Sequence, residues 1–508
     1  MKNTYYVTTP LYYVNDKPHI GSAYTTIAAD VLARFHRIKG EKVFFLTGTD
    51  EHGEKVAKAA AEKGKEPKQF LDELIPFYKE AWQKLNISYD FFIRTTDLMH
   101  EKAVLKFFKK IYDNGDIYLG EYEGYYCVPC ETYYSKTQLK EEKFCPSCGK
   151  ETQLMREESY FFRLSKYQQA LLGYIESDEV VLPEPRKNEI INFIKQGLTD
   201  LSISRTSIKW GIPVPLNKKH VIYVWFDALL NYITAIGYGS NSKQFKTIWP
   251  ADVHLMGKEI VRFHAVIWPA MLLSAGLPLP KKVFGHGWLT VEGQKMSKSK
   301  GNVIDPIQVS EKYSVDALRY FLLREIPFGS DGDYSEKALV QRINSELADS
   351  LGNLLNRTIV MIEKYFDGKI PKAFNISKQE KELRDLTLSK AEETGKLIDA
   401  LELHKALASV WEIIDASNKF INDSKPWELA KSGEKEKLAN VLYSLSESLR
   451  ITSILLFPFM PETSKKIQKQ LGVSSFQFDE ALKWNLIKEN TLTGTPEILF
   501  KKIEEQKN

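Results

Sequence analysis

The first fifty residues alternate strand, helix and strand, and this order constrains the rest of the chain more than any other feature. Thr4–Thr9 and Val43–Thr47 are strand-like, and between them Ile20, Tyr24, Ile27, Val31, Leu32, Phe35 and Ile38 recur at helical spacing along one buried face. Lys39-Gly40 supplies the stop. Two strands joined by a crossover helix imply a parallel sheet. A second α/β stretch comes much later: strand-like Val221–Phe226 and Val253–Met256, a helix from about Lys258, then strand-like Val283-Phe284. The expected fold is therefore a doubly wound, Rossmann-like α/β domain in two halves, residues 1–115 and 221–286, split by an insertion over 116–220. At 508 residues the chain exceeds what one core usually holds, so further units are expected.

From about Ser345 to Leu471 the pattern becomes almost wholly helical. Leu347, Leu351, Leu354, Leu355 and Ile362, for example, share one face of Glu346–Glu363. Residues 345–508 are read as an all-α domain and 287–344 as a short connective domain. The longest uncharged run, Phe263 to Pro280, is interrupted by Pro269 and reads as a buried helix rather than a membrane span. Met1-Lys2-Asn3 leads directly into a strand with no secretory pattern, so a cytoplasmic location is expected. The net charge of +4 permits a polyanionic partner without requiring one. More telling is the local surplus between Lys281 and Lys312, where six lysines face Glu292, Asp305 and Glu311.

All four cysteines fall inside the insertion, as Cys127-Val-Pro-Cys130 and Cys145-Pro-Ser-Cys148. Two such knuckles allow four thiolates to surround one tetrahedral Zn²⁺; with no ligand position left open, the metal would be structural.

Two further motifs point to phosphate chemistry. Pro18-His19-Ile20-Gly21-Ser22 opens the first helix. Unpaired N–H groups and the helix dipole favour anions there, and His19 is a donor for a phosphate whose charge grows during displacement. Helix capping is the plainer use of a histidine at that position. Lys295-Met296-Ser297-Lys298-Ser299-Lys300-Gly301-Asn302 sets three lysines among small residues, as suits a loop closing on a polyphosphate. Taken alone it also fits an exposed basic loop.

Together the two motifs resemble the paired signature of class I aminoacyl-tRNA synthetases. The lysine motif matches throughout; in the first, Ser22 stands where the family usually carries a second histidine, and a serine donates a hydrogen bond but bears no charge. The large editing insertion of the leucyl, isoleucyl and valyl enzymes does not fit this length. The cysteine that the cysteinyl enzyme needs near the first motif is missing, since none occurs before Cys127. Thr9-Pro10-Leu11-Tyr12-Tyr13, Thr47-Gly48-Thr49-Asp50-Glu51-His52-Gly53, Tyr223-Val224-Trp225-Phe226-Asp227-Ala228 and Gly257-Lys258-Glu259-Ile260-Val261-Arg262-Phe263-His264 are similar to the blocks of the methionyl-tRNA synthetase family.

That resemblance implies ATP-driven attachment of L-methionine to its tRNA through methionyl-adenylate. His19, Lys295 and Lys298 would be catalytic, and ATP with Mg²⁺ would be held by His19, Gly21, Ser22, Gly257, Glu259, Lys295 and Lys298. Asp50 would take the substrate ammonium at a strand's carboxyl end. Pro10, Leu11, Tyr13, Trp225, Ala228, Tyr232, Ile260, Phe263, His264 and Trp268 would enclose the thioether. Sulfur against aromatic rings is favourable by about 0.3–1.5 kcal/mol per contact, and a hydrogen bond from Tyr13 or His264 to sulfur would add selectivity over leucine. In the helical domain Asn353 and Arg357 fall opposite the Leu351/Leu355 stripe. With Trp427 they match the family's anticodon-reading positions, Trp427 stacking on a base. On residue type alone, a helix surface and a packing tryptophan serve as well. Some family members carry a further C-terminal dimerising domain; this sequence is short of one, and a monomer is expected. A plain nucleotidylyltransferase would leave the helical third without a use. A zinc-bearing RNA-binding protein without catalysis stays open until methionine-dependent ATP–pyrophosphate exchange is measured.

Overall fold

The computed structural model describes residues 4–14, 16–130, 132–134, 136–177, 179–296, 301–374 and 376–504. By contacts the chain divides into two compact units. One comprises Met1–Pro18, Phe44–Gln83 and Tyr89–His286; the other comprises His19–Val43, Lys84–Ser88 and Gly287–Asn508.

The first unit is built on a seven-stranded sheet. Tyr12–Tyr13 and Phe91–Arg94 both pair with Lys42–Asp50; Thr4–Thr8, Val253–Gly257, Val283–His286 and Val181–Leu182 follow in order. The resolved pairings are all parallel, with Val7 opposite Val253, Leu255 opposite Phe284 and Tyr13 opposite Asp50. Gly48 is required by close approach, since a Cβ there would lie 2.1 Å from the Ile93 carbonyl oxygen. Tyr6, Leu46, Ile93 and Val283 enter one core with Phe107, Phe108, Phe226, Ile233 and Trp268. A buried parallel sheet of this kind places ligands at the carboxyl ends of its strands.

Two readings from sequence need correction. Only Val221 and Ile222 of the expected strand Val221–Phe226 are in a strand. The strand Asn217–Ile222 ends early and belongs to a separate antiparallel sheet, and Val224–Leu229 is a short helix. The β-branched and aromatic run has strand propensity, but packing decides between the two states. The edge strand that the parallel sheet does use, Val181–Leu182, comes from residues read as insertion. The rest of that stretch includes a four-stranded sheet in which Ile117–Cys127 and Gln153–Phe162 pair antiparallel.

The second unit holds the helix Ile20–Ile38, which is buried on nearly every side rather than along one face. Its two buried charges explain how this is tolerated. Asp30 accepts from Arg34 and from Arg319, each at 2.7 Å, and from the Ser88 amide and hydroxyl. Arg319 spends its remaining donors on the Pro458 and Phe459 carbonyls, among others. A buried charge persists only when paired and hydrogen-bonded in this way. The helices Asn353–Phe366, Lys378–Asp399, Leu403–Ser424, Lys435–Leu456 and Pro461–Leu471 bear out the expected helical third. Among the described residues no helix is long and apolar enough to cross a membrane.

Candidate functional site

In the first unit, the chain turns sharply after Val253–Gly257. A 3₁₀ turn over Lys258–Ile260 passes into a π-turn over Phe263–Ile267 and then the helix Trp268–Ser274. Trp268 N–H reaches back to the Phe263 carbonyl, the widened repeat of a π-bulge, a feature frequent at functional sites. It brings Phe263, His264 and Trp268 onto one aromatic cluster. The rings of Trp225 and Phe263 stack at 3.8 Å with 10° between planes, His264 stands edge-on to Trp225, and Tyr232 contacts both His264 and Trp268. Leu11, Trp225, Ile260 and Phe263 are half-buried at the margin of the core, whereas Tyr232, His264 and Trp268 are within it.

Hydrogen bonds fix the ring states. His264 Nδ1–H donates to the Ile260 carbonyl at 2.9 Å, so its Nε2 accepts from the Tyr232 hydroxyl at 2.7 Å. Burial holds the His264 pKa down at about 4, so the ring is neutral. Tyr13 donates its hydroxyl to the His52 carbonyl at 2.9 Å. Both side chains expected to donate to a thioether sulfur thus make hydrogen bonds within the protein. Pro10 and Ala228 are buried, and Asp50, 6 % exposed, ends the strand beside Tyr13.

His254 was not foreseen. It packs against Tyr232 at 4.2 Å, accepts from Trp268 Nε1 and shares a 2.7 Å hydrogen bond with Thr8, while burial pushes its pKa well down. A lone histidine within the apolar strand Val253-His254-Leu255-Met256 was the available signal. Gly257 and Glu259 follow at that strand's end, where a Cβ on Gly257 would meet the Glu259 carboxylate at 2.6 Å.

The four cysteines, also in the first unit, converge. Their sulfurs lie within 4.8 Å of one another, with Cys127–Cys148 at 3.4 Å and Cys130–Cys145 at 3.8 Å. Disulfides need about 2.05 Å, whereas a tetrahedron of ~2.3 Å metal–sulfur bonds has edges near these values. Gly149, at φ +70°, closes the second knuckle, and its N–H returns to the Cys145 carbonyl. The donor set fits a thiolate-bound metal with every position filled by protein.

In the second unit, His19 caps the helix that it begins. Its Nδ1 accepts from Gly21 N–H at 3.1 Å, while Ser22 Oγ accepts from His19 N–H at 3.0 Å, completing a capping box. A Cβ on Gly21 would press on the His19 ring at 3.0 Å. Lys298 lies outside the described residues; for Lys295 only the backbone is described, in the strand Gln294–Lys295.

The helical residues also meet. Asn353 is exposed at a helix start, and Arg357 donates to Asn422 Oδ1 at 3.0 Å while its guanidinium stands 5.7 Å from the Trp427 ring. Trp427 is 36 % exposed, so it is not the packing tryptophan that residue type alone suggests. Lys425, at φ 44°, breaks the preceding helix, and Pro426 restarts it with Trp427 one position on.

Comparison with known proteins identifies a family and similar structures. Residues 5–155 and 145–359 match the family described as tRNA synthetases class I (M), and residues 370–508 match the anticodon binding domain of methionyl tRNA ligase. The chain is 54 % identical to a methionine–tRNA ligase of Caldanaerobacter subterraneus, covering all of this chain and 80 % of that one. It is 50 % identical to one of Thermotoga maritima, covering 98 % and 80 %. The solved structure of Mycobacterium tuberculosis methionyl-tRNA synthetase with methionyl-adenylate superposes with a TM-score of 0.95 at 42 % identity, covering 98 % of this chain and all of that one.

Proposed function

The chain belongs to the methionyl-tRNA synthetase family of class I tRNA synthetases, and from that premise we propose how its residues divide the reaction. It joins methionine to its tRNA at the expense of ATP, with methionyl-adenylate as the intermediate. The observation that carries the residue assignment is the aromatic enclosure of Trp225, Phe263, His264, Tyr232 and Trp268 in the same unit as the Asp50 strand end.

Asp50 binds the ammonium, while the enclosure, completed by Pro10, Leu11, Tyr13, Ala228 and Ile260, holds the side chain and excludes water. Removing water strengthens the Asp50 contact and keeps the activated acyl group from hydrolysis. The methionine carboxylate attacks the α-phosphorus of ATP and pyrophosphate leaves; the terminal ribose hydroxyl of tRNA then attacks the acyl carbon, loses its proton and takes the acyl group as AMP departs. Gly257 and Glu259 of the first unit are proposed nucleotide contacts. Of the second unit, so are His19, Gly21, Ser22, Lys295 and Lys298, the lysines neutralising the leaving pyrophosphate. Mg²⁺ accompanies ATP and offsets phosphate charge. For His19 to reach a phosphate, Nε2 is the atom to assign, because Nδ1 serves the cap.

Zn²⁺ is proposed for the cysteine cluster on its four-sulfur donor set, and a reducing cytoplasm suits cysteines that form no disulfide. Asn353, Arg357 and Trp427 are proposed to read the anticodon. ATP–pyrophosphate exchange tests the assignment: Asp50→Asn, folded as wild type, should raise the KM for methionine far more than that for ATP. Equal methionine dependence in the two proteins would move the amino-acid site elsewhere.

A further inference from the structure

Asp227 stands between Trp225 and Ala228 on the helix Val224–Leu229, yet its own carboxylate is 1 % exposed and taken by two histidines. His52 Nδ1 lies 2.7 Å from Oδ2, and His100 Nε2 lies 2.8 Å from Oδ1. An ionised carboxylate only accepts, so both imidazoles donate and their ring states are set by this one group. His100 passes the connection on through Nδ1 to Thr234 Oγ1, at 2.8 Å, in the turn that bears Tyr232.

His52 follows Asp50 by two residues, and the segment between them is held from several directions. Tyr13 donates to the His52 carbonyl and Trp210 Nε1 to the Glu51 carbonyl, while the Trp210 ring stands edge-on to His52 at 5.5 Å. The ionisable groups facing His52 are Asp227 on the short helix, Glu101 at 3.9 Å and His100 on the helix Leu98–Asp113, and Glu51, whose carboxylate is bound by Arg94. Burial works against charge on Asp227, but the two histidines hold its pKa at about 2. Burial likewise opposes the His52 cation, and Asp227, Glu101 and Glu51 raise its pKa nonetheless. A buried ion pair is an expensive way to join two elements, and it tolerates little displacement. Its value here lies in what it joins.

We propose that Asp227, with His52 and His100, is a positioning residue for methionine. The clasp ties the strand end bearing Asp50 to the helix bearing Trp225 and Ala228, and so fixes the gap between the group that takes the substrate's ammonium and the wall that takes its side chain. This rests on the methionine pocket proposed above. Misplacement of about 1 Å at such a site costs on the order of 10²-fold.

The test is ATP–pyrophosphate exchange kinetics between pH 6 and 8, where methionine's own ammonium stays protonated, on the purified protein. Asp227→Asn keeps the shape and removes the charge; its KM for methionine should rise at least ~10-fold, with the KM for ATP changed by less than ~2-fold. In the wild type, the KM for methionine should rise as pH increases through the His52 titration. His52→Asn, which keeps a donor facing Asp227 but cannot titrate, should bind methionine independently of pH over that range. This second variant carries the test if Asp227→Asn does not fold. A folded Asp227→Asn with unchanged methionine KM, or a wild-type pH profile preserved in His52→Asn, overturns the clasp. Asp50→Asn and Trp225→Ala run alongside separate the two levels. If they raise the methionine KM and the Asp227 and His52 variants behave as wild type, only the clasp fails; if they leave it unchanged, the pocket and the clasp fall together.

Discussion

The guanidinium of Arg357 lies 5.7 Å from the ring of Trp427, although two helices separate theirs in sequence, and both side chains reach solvent. A planar cation beside an accessible indole makes a surface on which an unpaired base can stack. Trp427→Ala should therefore lose about 1–3 kcal/mol of tRNA binding. Charging of methionine tRNA should fall while methionine activation without tRNA stays at the wild-type rate. At 36 % exposure the substitution should leave the fold intact, which a thermal melt verifies. Unchanged charging by the folded variant would leave anticodon reading to Asn353 and Arg357.

Lys298 offers a test that depends on sequence alone, because the residue lies outside those described. Lys298→Ala should reduce methionine-dependent exchange by at least ~10²-fold, the scale of losing a contact to transition-state charge. Methionine binding, followed by equilibrium dialysis, should hardly change.

One zinc per chain should be found by elemental analysis and be released by thiol-reactive reagents. The expectation rests on four sulfurs within 4.8 Å of one another. Because metal binding and local folding are coupled, stripping the metal should expose amides of Ile117–Cys127 and Gln153–Phe162 to hydrogen exchange before it affects the parallel sheet. Free thiols with no metal in a fully active preparation would refute the site.

The His52–Asp227 pair predicts a pH window for stability. Asp227 has a lowered folded pKa, so its contribution is complete above about 4 and is lost as pH falls towards about 2. His52 has a raised one, so its contribution is complete below about 6.5 and is lost as pH rises through the folded value. The pair should thus stabilise most between about pH 4 and 6.5. The melting temperature of the wild type minus that of Asp227→Asn, measured from pH 4 to 9, should be largest there and shrink on the alkaline side.

How much of this was legible in the sequence depended on the range of the interactions. Local pattern located the first two long strands, read as Thr4–Thr9 and Val43–Thr47 and found at Thr4–Thr8 and Lys42–Asp50, as well as the helix between them and the helical third. Val221–Phe226 misled because its composition suits a strand throughout, whereas the strand ends at Ile222 and a helix starts at Val224. The burial of Ile20–Ile38 on its polar side could not be read, since Arg319, which neutralises Asp30, lies 289 positions away. The same holds for His52 and Asp227, separated by 175 positions. Paired knuckles announced the cysteine site because their spacing alone allows convergence. Ser22, puzzling as a replacement for histidine, has a local explanation in the capping box with His19.

The central claim is that the aromatic enclosure recognises methionine, and Trp225 tests it most directly. Its ring stacks on Phe263 at 3.8 Å and is half-buried, so removing it opens a wall without emptying the core. The measurement is the KM for methionine of Trp225→Ala in ATP–pyrophosphate exchange, with the KM for ATP and a thermal melt as controls. Losing a buried aromatic contact of about 3 kcal/mol should raise the methionine KM on the order of 10²-fold while the ATP value holds. A folded variant with a wild-type methionine KM would contradict the assignment and require the methionine site to lie elsewhere in the chain.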